Sequence, residues 1–212
     1  LGDVYKRQAE SFSSSADCKT WSMKLRDGIT FHDGTPLNTE AVSVNFLAQY
    51  GDPLVGLAVR PYYSADEPIT IVDDLNMNFN LTDANCNWPS ALTGQLGAIG
   101  SPTWIAAAQE DPTLDQQPVG TGPFMFESRV QDSVTRFVKN PNYWGGDVYL
   151  DAVEFYQVTD GDVRTSLLLE GELDAQATTN VESIATLAEI DSITQVLDDT
   201  GDESFLMLNS AQ

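Results

Sequence analysis

The sequence predicts a mixed α/β chain in which a small α+β part leads into an α/β part, and three observations predict it. Residues 20–25 alternate Trp21, Met23 and Leu25 with Ser22 and Lys24, the period-2 pattern of a strand with one buried face. Asn38 precedes a run carrying Val42, Phe46 and Tyr50 at fourfold spacing, as in a capped helix with one apolar face. From residue 124 onward strand-like and helix-like stretches alternate, the signature of an α/β layer.

Each element follows from local chemistry. Asp27-Gly28 and Asp33-Gly34 are turn dipeptides, and residues 29–31 between them fit a short strand. The helix begun at Asn38 ends at Gly51-Asp52-Pro53. Residues 69–72 and 77–81 read as strands separated by Asp73-Asp74. Residues 88–92 open a short helix or turn, 94–102 form a glycine-punctuated loop, and 104–109 are helical. A polar, proline-containing stretch at 111–117 marks a boundary. Beyond it, 120–122 lead into a hairpin of 124–128 with 134–139, and 153–158 form a further strand. Residues 162–169 make a helix ended by Gly171, and 174–178 return as a strand. Asn180 caps a helix to Ile190 with Ile184 and Leu187 on its core face. Residues 193–197 and 204–209 are the last strands. The resulting organisation is a stray N-terminal end (1–8), a small α+β subdomain (9–113) and an α/β part (114–212).

Composition excludes some classes of function. The chain has 212 residues, enough to bury a full core. Its formal charge is −22, from 32 acids against 10 bases, and such a surface repels nucleic acid and anionic lipid. Apolar content of 42% with scattered acids argues against wholesale disorder. No apolar run approaches the ~18–20 residues needed to span a bilayer. Two cysteines and one histidine, with no CxxC pair, do not make a zinc site. His32, the sole histidine, sits in a turn and reads as a residue bonding to backbone. The acidic pairs Asp73-Asp74, Asp198-Asp199 and Glu170/Glu172 have the residue types of a hydrolase dyad, yet 32 acids produce such pairs by chance. The run from Asp198 to Glu203 lacks the ligand alternation of a calcium loop.

Two stretches carry a family resemblance. The first is TWSMKLRDGITFHDGTPLNTEAVSVNF (20–46); the second is PVGTGPFMFESRVQDSVTRFVKNPNYWGGDVYLDAVEF (118–155). They are followed by Leu168-Leu169-Glu170-Gly171-Glu172-Leu173-Asp174. In this order they resemble the family 5 extracellular solute-binding proteins, receptors of peptide- and nickel-type ABC importers. The resemblance implies a periplasmic-binding-protein-like type II lobe with a small inserted subdomain, and a chain that is a fragment without the second lobe. It further implies an extracytoplasmic receptor, periplasmic or on the outer face of the cytoplasmic membrane, that captures peptides or similar small solutes. The implied partners are that ligand and the ABC permease subunits, with a monomeric receptor, no enzymatic activity, no cofactor and no metal. A carboxylate-dependent hydrolase and a sensor module reusing the scaffold are the alternatives.

The family places residues 18–25 and 77–86 as antiparallel neighbours. If Leu25 lies opposite Phe79, Cys18 lies opposite Cys86, and the two form a disulfide; two free thiols are the alternative. Gly120-Thr121-Gly122-Pro123 and Asn140-Pro141-Asn142-Tyr143-Trp144 read as scaffold, the glycines allowing tight backbone geometry. For ligand contact the candidates are Gln95 and Ser101, in the loop where nickel-type relatives place an arginine, and Tyr62 and Tyr63, whose rings could stack on a solute.

Overall fold

The computed structural model of the chain describes residues 8–93 and 95–196. They fall into two compact units, Leu1–Tyr156 and Gln157–Gln212. The larger opens with β1 (Ala9–Ser14) and β2 (Thr20–Leu25), followed by α1 (Thr39–Gly51) and the single-turn α2 (Val55–Val59). Then come β3 (Ile69–Ile71), β4 (Asn76–Asn80) and α3 (Pro102–Glu110). The four strands form one antiparallel sheet in the order β1-β2-β4-β3.

The core follows from the alternation in β2. Trp21, Met23 and Leu25 are buried, as are Met77 and Phe79 of β4, and α1 presents Ala41, Val42 and Phe46 to the same cluster. The helix starts where Asn38 accepts a hydrogen bond from the Ala41 amide at 2.9 Å. Trp88 is the central plug, with the rings of Phe12, Trp21, Tyr63 and Phe79 between 4.6 and 6.3 Å from its own. Burying each such large side chain contributes about 1.5–3 kcal/mol, so this aromatic knot is the energetic centre of the unit.

The register of β2 on β4 differs from the expected one. Trp21, not Leu25, pairs with Phe79, and the ladder ends at Thr20 opposite Asn80. A slip of four residues leaves every side chain on its own face, so alternation cannot choose between the two registers. The turn between β3 and β4 does choose. The Asp73 carboxylate accepts from the Leu75 and Asn76 amides, and Leu25 N–H then meets Leu75 O at 2.8 Å. Cys18 and Cys86 are disulfide-bonded, with Cα atoms 5.0 Å apart, but not through strand pairing. Beyond the ladder Cys18 takes a left-handed φ of 55°, and Asn85 N–H donates to Cys18 O. The loop after β4 thereby delivers Cys86.

Residues 29–31 do not form a strand. Phe31 N–H bonds Thr35 O and Leu37 N–H bonds Ile29 O, with a single bridge between Thr30 and Pro36. Pro36 lacks an N–H, so the ladder stops there. Ile29 and Phe31 are buried all the same.

The same unit continues into an antiparallel meander, β5 (Phe124–Val130), β6 (Val134–Lys139) and β7 (Ala152–Tyr156). Phe126, Phe137 and Phe155 stack edge-on across it at 6.0 and 5.9 Å. Arg136 is paired with both Glu127 and Glu154, one on each neighbouring strand. Like charges on β5 and β7 are thus bridged by the cation between them.

The smaller unit holds α4 (Gly161–Leu169) and α5 (Val181–Ala188). Asp160 caps α4 by accepting from Asp162 and Val163, and Gly171 closes it with φ 79°. Asn180 caps α5 by accepting from Ser183. Buried Thr165 and Ser183 face each other at 3.2 Å between the helices. Residues 174–178 and 193–196, expected as strands, have no strand partner among the described residues and run as irregular chain. Residues 204–209 lie outside the described residues. The described chain is mixed α/β, but its sheets are antiparallel rather than built of alternating strand–helix units.

Candidate functional site

Three sequence motifs separated by as much as a hundred residues meet in one bonded junction. The turn after Phe31 carries His32 onto the glycine segment. His32 N–H donates to Gly120 O at 2.9 Å, and Gly120 N–H donates to His32 Nδ1 at 3.3 Å. Since Nδ1 accepts, the ring proton sits on Nε2, which donates to Gly122 O at 3.0 Å. Asn140 Nδ2 donates to the same carbonyl at 3.0 Å, and Trp144 Nε1 donates to Thr121 O at 3.0 Å. Gln8 Nε2 closes the group on Thr121 Oγ1 at 2.7 Å. Five polar side-chain atoms therefore hold residues 120–122 from outside. The glycines are not demanded by tight geometry, contrary to expectation. A Cβ on Gly120 or Gly122 would meet its nearest neighbour at 3.8 or 4.0 Å, and neither φ is positive.

Ser101 is fully buried beside this junction. Its hydroxyl donates to Asp33 Oδ2 at 2.5 Å, and its N–H donates to Val119 O at 2.8 Å. Burial pushes the Asp33 carboxyl up, but the bonds from the Ser101 hydroxyl and Thr35 outweigh it and hold the group below the usual carboxylate range. The preceding residue is clamped to α1. Buried Asn45 accepts from Gly100 N–H at 2.8 Å and donates to Gly100 O at 2.7 Å and Ala41 O at 2.8 Å. Ser101 is thus a fastening of the loop with no surface for a solute. The Asn45 clamp left no sequence signal, because an asparagine inside a helix reads as a solvent-facing residue.

Tyr62 and Tyr63 separate completely. Tyr62 is 62% exposed, whereas Tyr63 is 3% exposed and packs its ring on Phe46 and Trp88. The Tyr63 hydroxyl accepts from Trp88 Nε1 at 2.9 Å, and burial pushes its pKa up to about 12. No face of Tyr63 is open to a solute. Gln95 lies in a short 3₁₀ turn, Gln95–Gly97. Sequence reasoning also missed an open polar hollow of about 400 Å³ beside β5, where Gln116, Gln117, Arg129 and Gln131 converge with Phe126.

Among the described residues, His32, Ser101 and Asp73 are each engaged structurally. Ser101 bonds Asp33 while both ring nitrogens of His32 engage glycine backbone, so no serine–histidine contact exists in this set. Asp73 builds the β3–β4 turn; the Leu75 amide and then Asn76 hold its carboxyl below the usual range. Asp198-Asp199 lies outside the described residues. Among the described residues no group of three or more His, Cys, Asp or Glu converges to hold a metal, and no helix is long and apolar enough to cross a membrane.

Comparison with known proteins places this architecture. The family model for bacterial extracellular solute-binding proteins, family 5 Middle, matches residues 3–212. A glutathione-binding protein GsiB of Pectobacterium atrosepticum is 28% identical over 96% of this chain and 39% of its own length. Heme-binding protein A of Haemophilus influenzae is 29% identical over 94% and 40%. The structure of the periplasmic binding protein DppA from Helicobacter pylori, in complex with peptide STSA, superposes with a TM-score of 0.73 at 23% identity. That match covers 87% of this chain and 40% of DppA. The chain spans about 40% of the length of these relatives.

Proposed function

The chain belongs to the bacterial extracellular solute-binding proteins of family 5, and from that membership we propose that it serves solute capture for an ABC importer. The solute is a peptide or similar small molecule, taken up outside the cytoplasmic membrane and handed to permease subunits. The observation that carries this reading is the match along residues 3–212, made by a chain whose distinguishing motifs converge in one junction. A glutathione-binding relative and a peptide-bound structural neighbour support the solute class. A disulfide between Cys18 and Cys86 suits an oxidising, extracytoplasmic setting.

The role is binding rather than catalysis, performed as a monomer and without a cofactor. Affinity comes from apolar and aromatic walls, and a few polar groups set orientation. Tyr62 and Gln95 remain the proposed contacts on this chain. Ser101, Asp33 and His32 act one step back, holding the loop and the glycine segment in place. Native mass spectrometry of the protein isolated from its host tests the reading. A ladder of co-purified peptide masses is the expected result. A co-purified non-peptide solute would overturn the peptide class, and failure to bind any member of a di- to pentapeptide library would overturn peptide capture itself.

A further inference from the structure

The disulfide joins two unlike positions. Cys18 is buried in the turn between β1 and β2 and takes a left-handed φ of 55°, which a residue with a side chain holds only where its surroundings impose it. Cys86 is exposed, and so is every residue from 82 to 87. Two buried anchors bracket that exposed run, Leu81 at one end and Trp88 at the other.

The run is tied to the β1–β2 turn and to β2 by the disulfide and by three hydrogen bonds. Asn85 N–H donates to Cys18 O at 3.0 Å, Lys19 Nζ donates to Thr82 O at 3.1 Å, and Trp21 Nε1 donates to Asn85 O at 3.0 Å. The lysine bond lies in solvent, where water competes for both partners. Thr82 in turn donates its N–H to Tyr62 O at 3.1 Å and its hydroxyl to Tyr63 O at 2.8 Å. The run therefore begins at the residue that fastens the main chain of exposed Tyr62. Segments with exposed backbone bonds and little buried surface open most readily, so a covalent clip has its largest local effect there.

Access decides which sulfur reacts. Exposed disulfides are the labile ones, whereas buried sulfur is inert. A thiolate of an external dithiol attacks Cys86 Sγ, breaks the sulfur–sulfur bond and displaces Cys18 as a thiolate, which takes up a proton. The second thiolate of the reagent then attacks its own sulfur in the mixed disulfide and releases Cys86. The dithiol ends as a cyclic disulfide, and the protein has gained two electrons and two protons.

We propose that the Cys18–Cys86 bond is a redox-operated latch: a dithiol reductant opens it from the exposed Cys86 side, freeing residues 82–87 and loosening the fastening of Tyr62. Cys18 can then leave its left-handed conformation, which favours the open form. Trp88 stays, because its ring is packed on Phe12, Trp21, Tyr63 and Phe79 and its indole N–H is bonded to the Tyr63 hydroxyl. The latch stands whether or not Tyr62 touches a solute.

The test treats the folded 212-residue chain with dithiothreitol and follows alkylation and amide exchange. Both cysteines are expected to become alkylatable in native buffer. The Asn85 and Thr82 amides should then exchange about tenfold faster, as in a local opening, while the Met77 amide and the Trp88 indole keep their protection. Cys86→Ser should show the fast exchange without reductant and ignore dithiothreitol. A disulfide that resists dithiothreitol until the chain unfolds would overturn the proposal. So would Asn85 or Thr82 exchanging at the oxidised rate after reduction, loss of the Met77 and Trp88 protection along with theirs, or a response to dithiothreitol in Cys86→Ser. The oxidised and reduced forms of the unaltered chain decide the matter by themselves if Cys86→Ser does not fold.

Discussion

Asn45→Ala is the most informative single perturbation of the scaffold. The side chain of Asn45 makes three hydrogen bonds from a buried position, two of them to the N–H and C=O of Gly100. Truncation leaves both Gly100 groups without those partners. An unsatisfied backbone group costs about 1–3 kcal/mol when water is excluded. Gly100 is half-buried, so water recovers part of this, and the loss is expected at about 2–3 kcal/mol. For a chain of this size that corresponds to a fall in Tm of about 5–10 °C. Urea denaturation monitored by tryptophan fluorescence gives the free energy, and amide exchange at Gly100 gives the local effect. Asn45→Asp is the control: it keeps the acceptor for Gly100 N–H, loses both donated bonds and buries a carboxylate, so it should be at least as damaging at neutral pH. An Asn45→Ala chain that melts within about 1 °C of wild type, with Gly100 exchanging at its original rate, would refute the clamp.

Three further outcomes follow from the same geometry. Replacing Cys18 and Cys86 by alanine opens a loop with a sequence separation of 68 and should cost about 4 kcal/mol in the chain-entropy model; urea midpoints within error of wild type would contradict it. Tyr63→Phe removes the acceptor of the buried Trp88 indole and should cost about 1–3 kcal/mol, while in wild type stability should be full below pH ~10 and fall as pH rises toward 12, because the unfolded tyrosine releases its proton first; an alkaline limb unchanged in Tyr63→Phe would count against this. Ser101→Ala removes the strongest bond that lowers the Asp33 carboxyl, so the NMR titration midpoint of Asp33 should move to higher pH, and the stability Asp33 contributes above the carboxylate range and loses on acidification should shrink; an unmoved midpoint would show that Thr35 holds the carboxylate alone.

What was legible in the sequence is what is encoded locally. The alternation of Trp21, Met23 and Leu25 gives β2, and the asparagines at 38 and 180 give the starts of α1 and α5, because a cap acts within a single turn. Register is encoded elsewhere, in the Asp73 turn, and the face pattern is blind to a four-residue slip. Residues 174–178 look like a strand by composition, but a strand exists only with a partner, and none is described beside them. Tyr62 and Tyr63 show the same limit for the site: two identical neighbours point one outward and one into the Trp88 knot, and only the packing of Phe46 and Trp88 says which. The junction was hidden for a related reason. His32 and the glycines it binds are about ninety residues apart, and a hydrogen bond to backbone imposes no residue type on the partner segment.

That last point bears on how one scaffold serves different solutes. At the junction, side chains of His32, Asn140 and Trp144 bind the carbonyls and an amide of residues 120–122, so the identity of each side chain matters to how that segment is held. These residues are the ones that make the chain recognisable. Two of the exposed surfaces, the Tyr62 ring and the polar hollow around Arg129, lie outside that network and can change without disturbing it. A chain built this way can keep its fold signature while its exposed surface varies, which is compatible with one family including relatives named for glutathione and for heme. It follows that substitutions at the junction should lower stability, whereas substitutions at the open surfaces should alter solute choice with the melting temperature preserved. An Arg129→Gln chain that melts normally and a Trp144→Leu chain that does not would separate the two classes of residue directly.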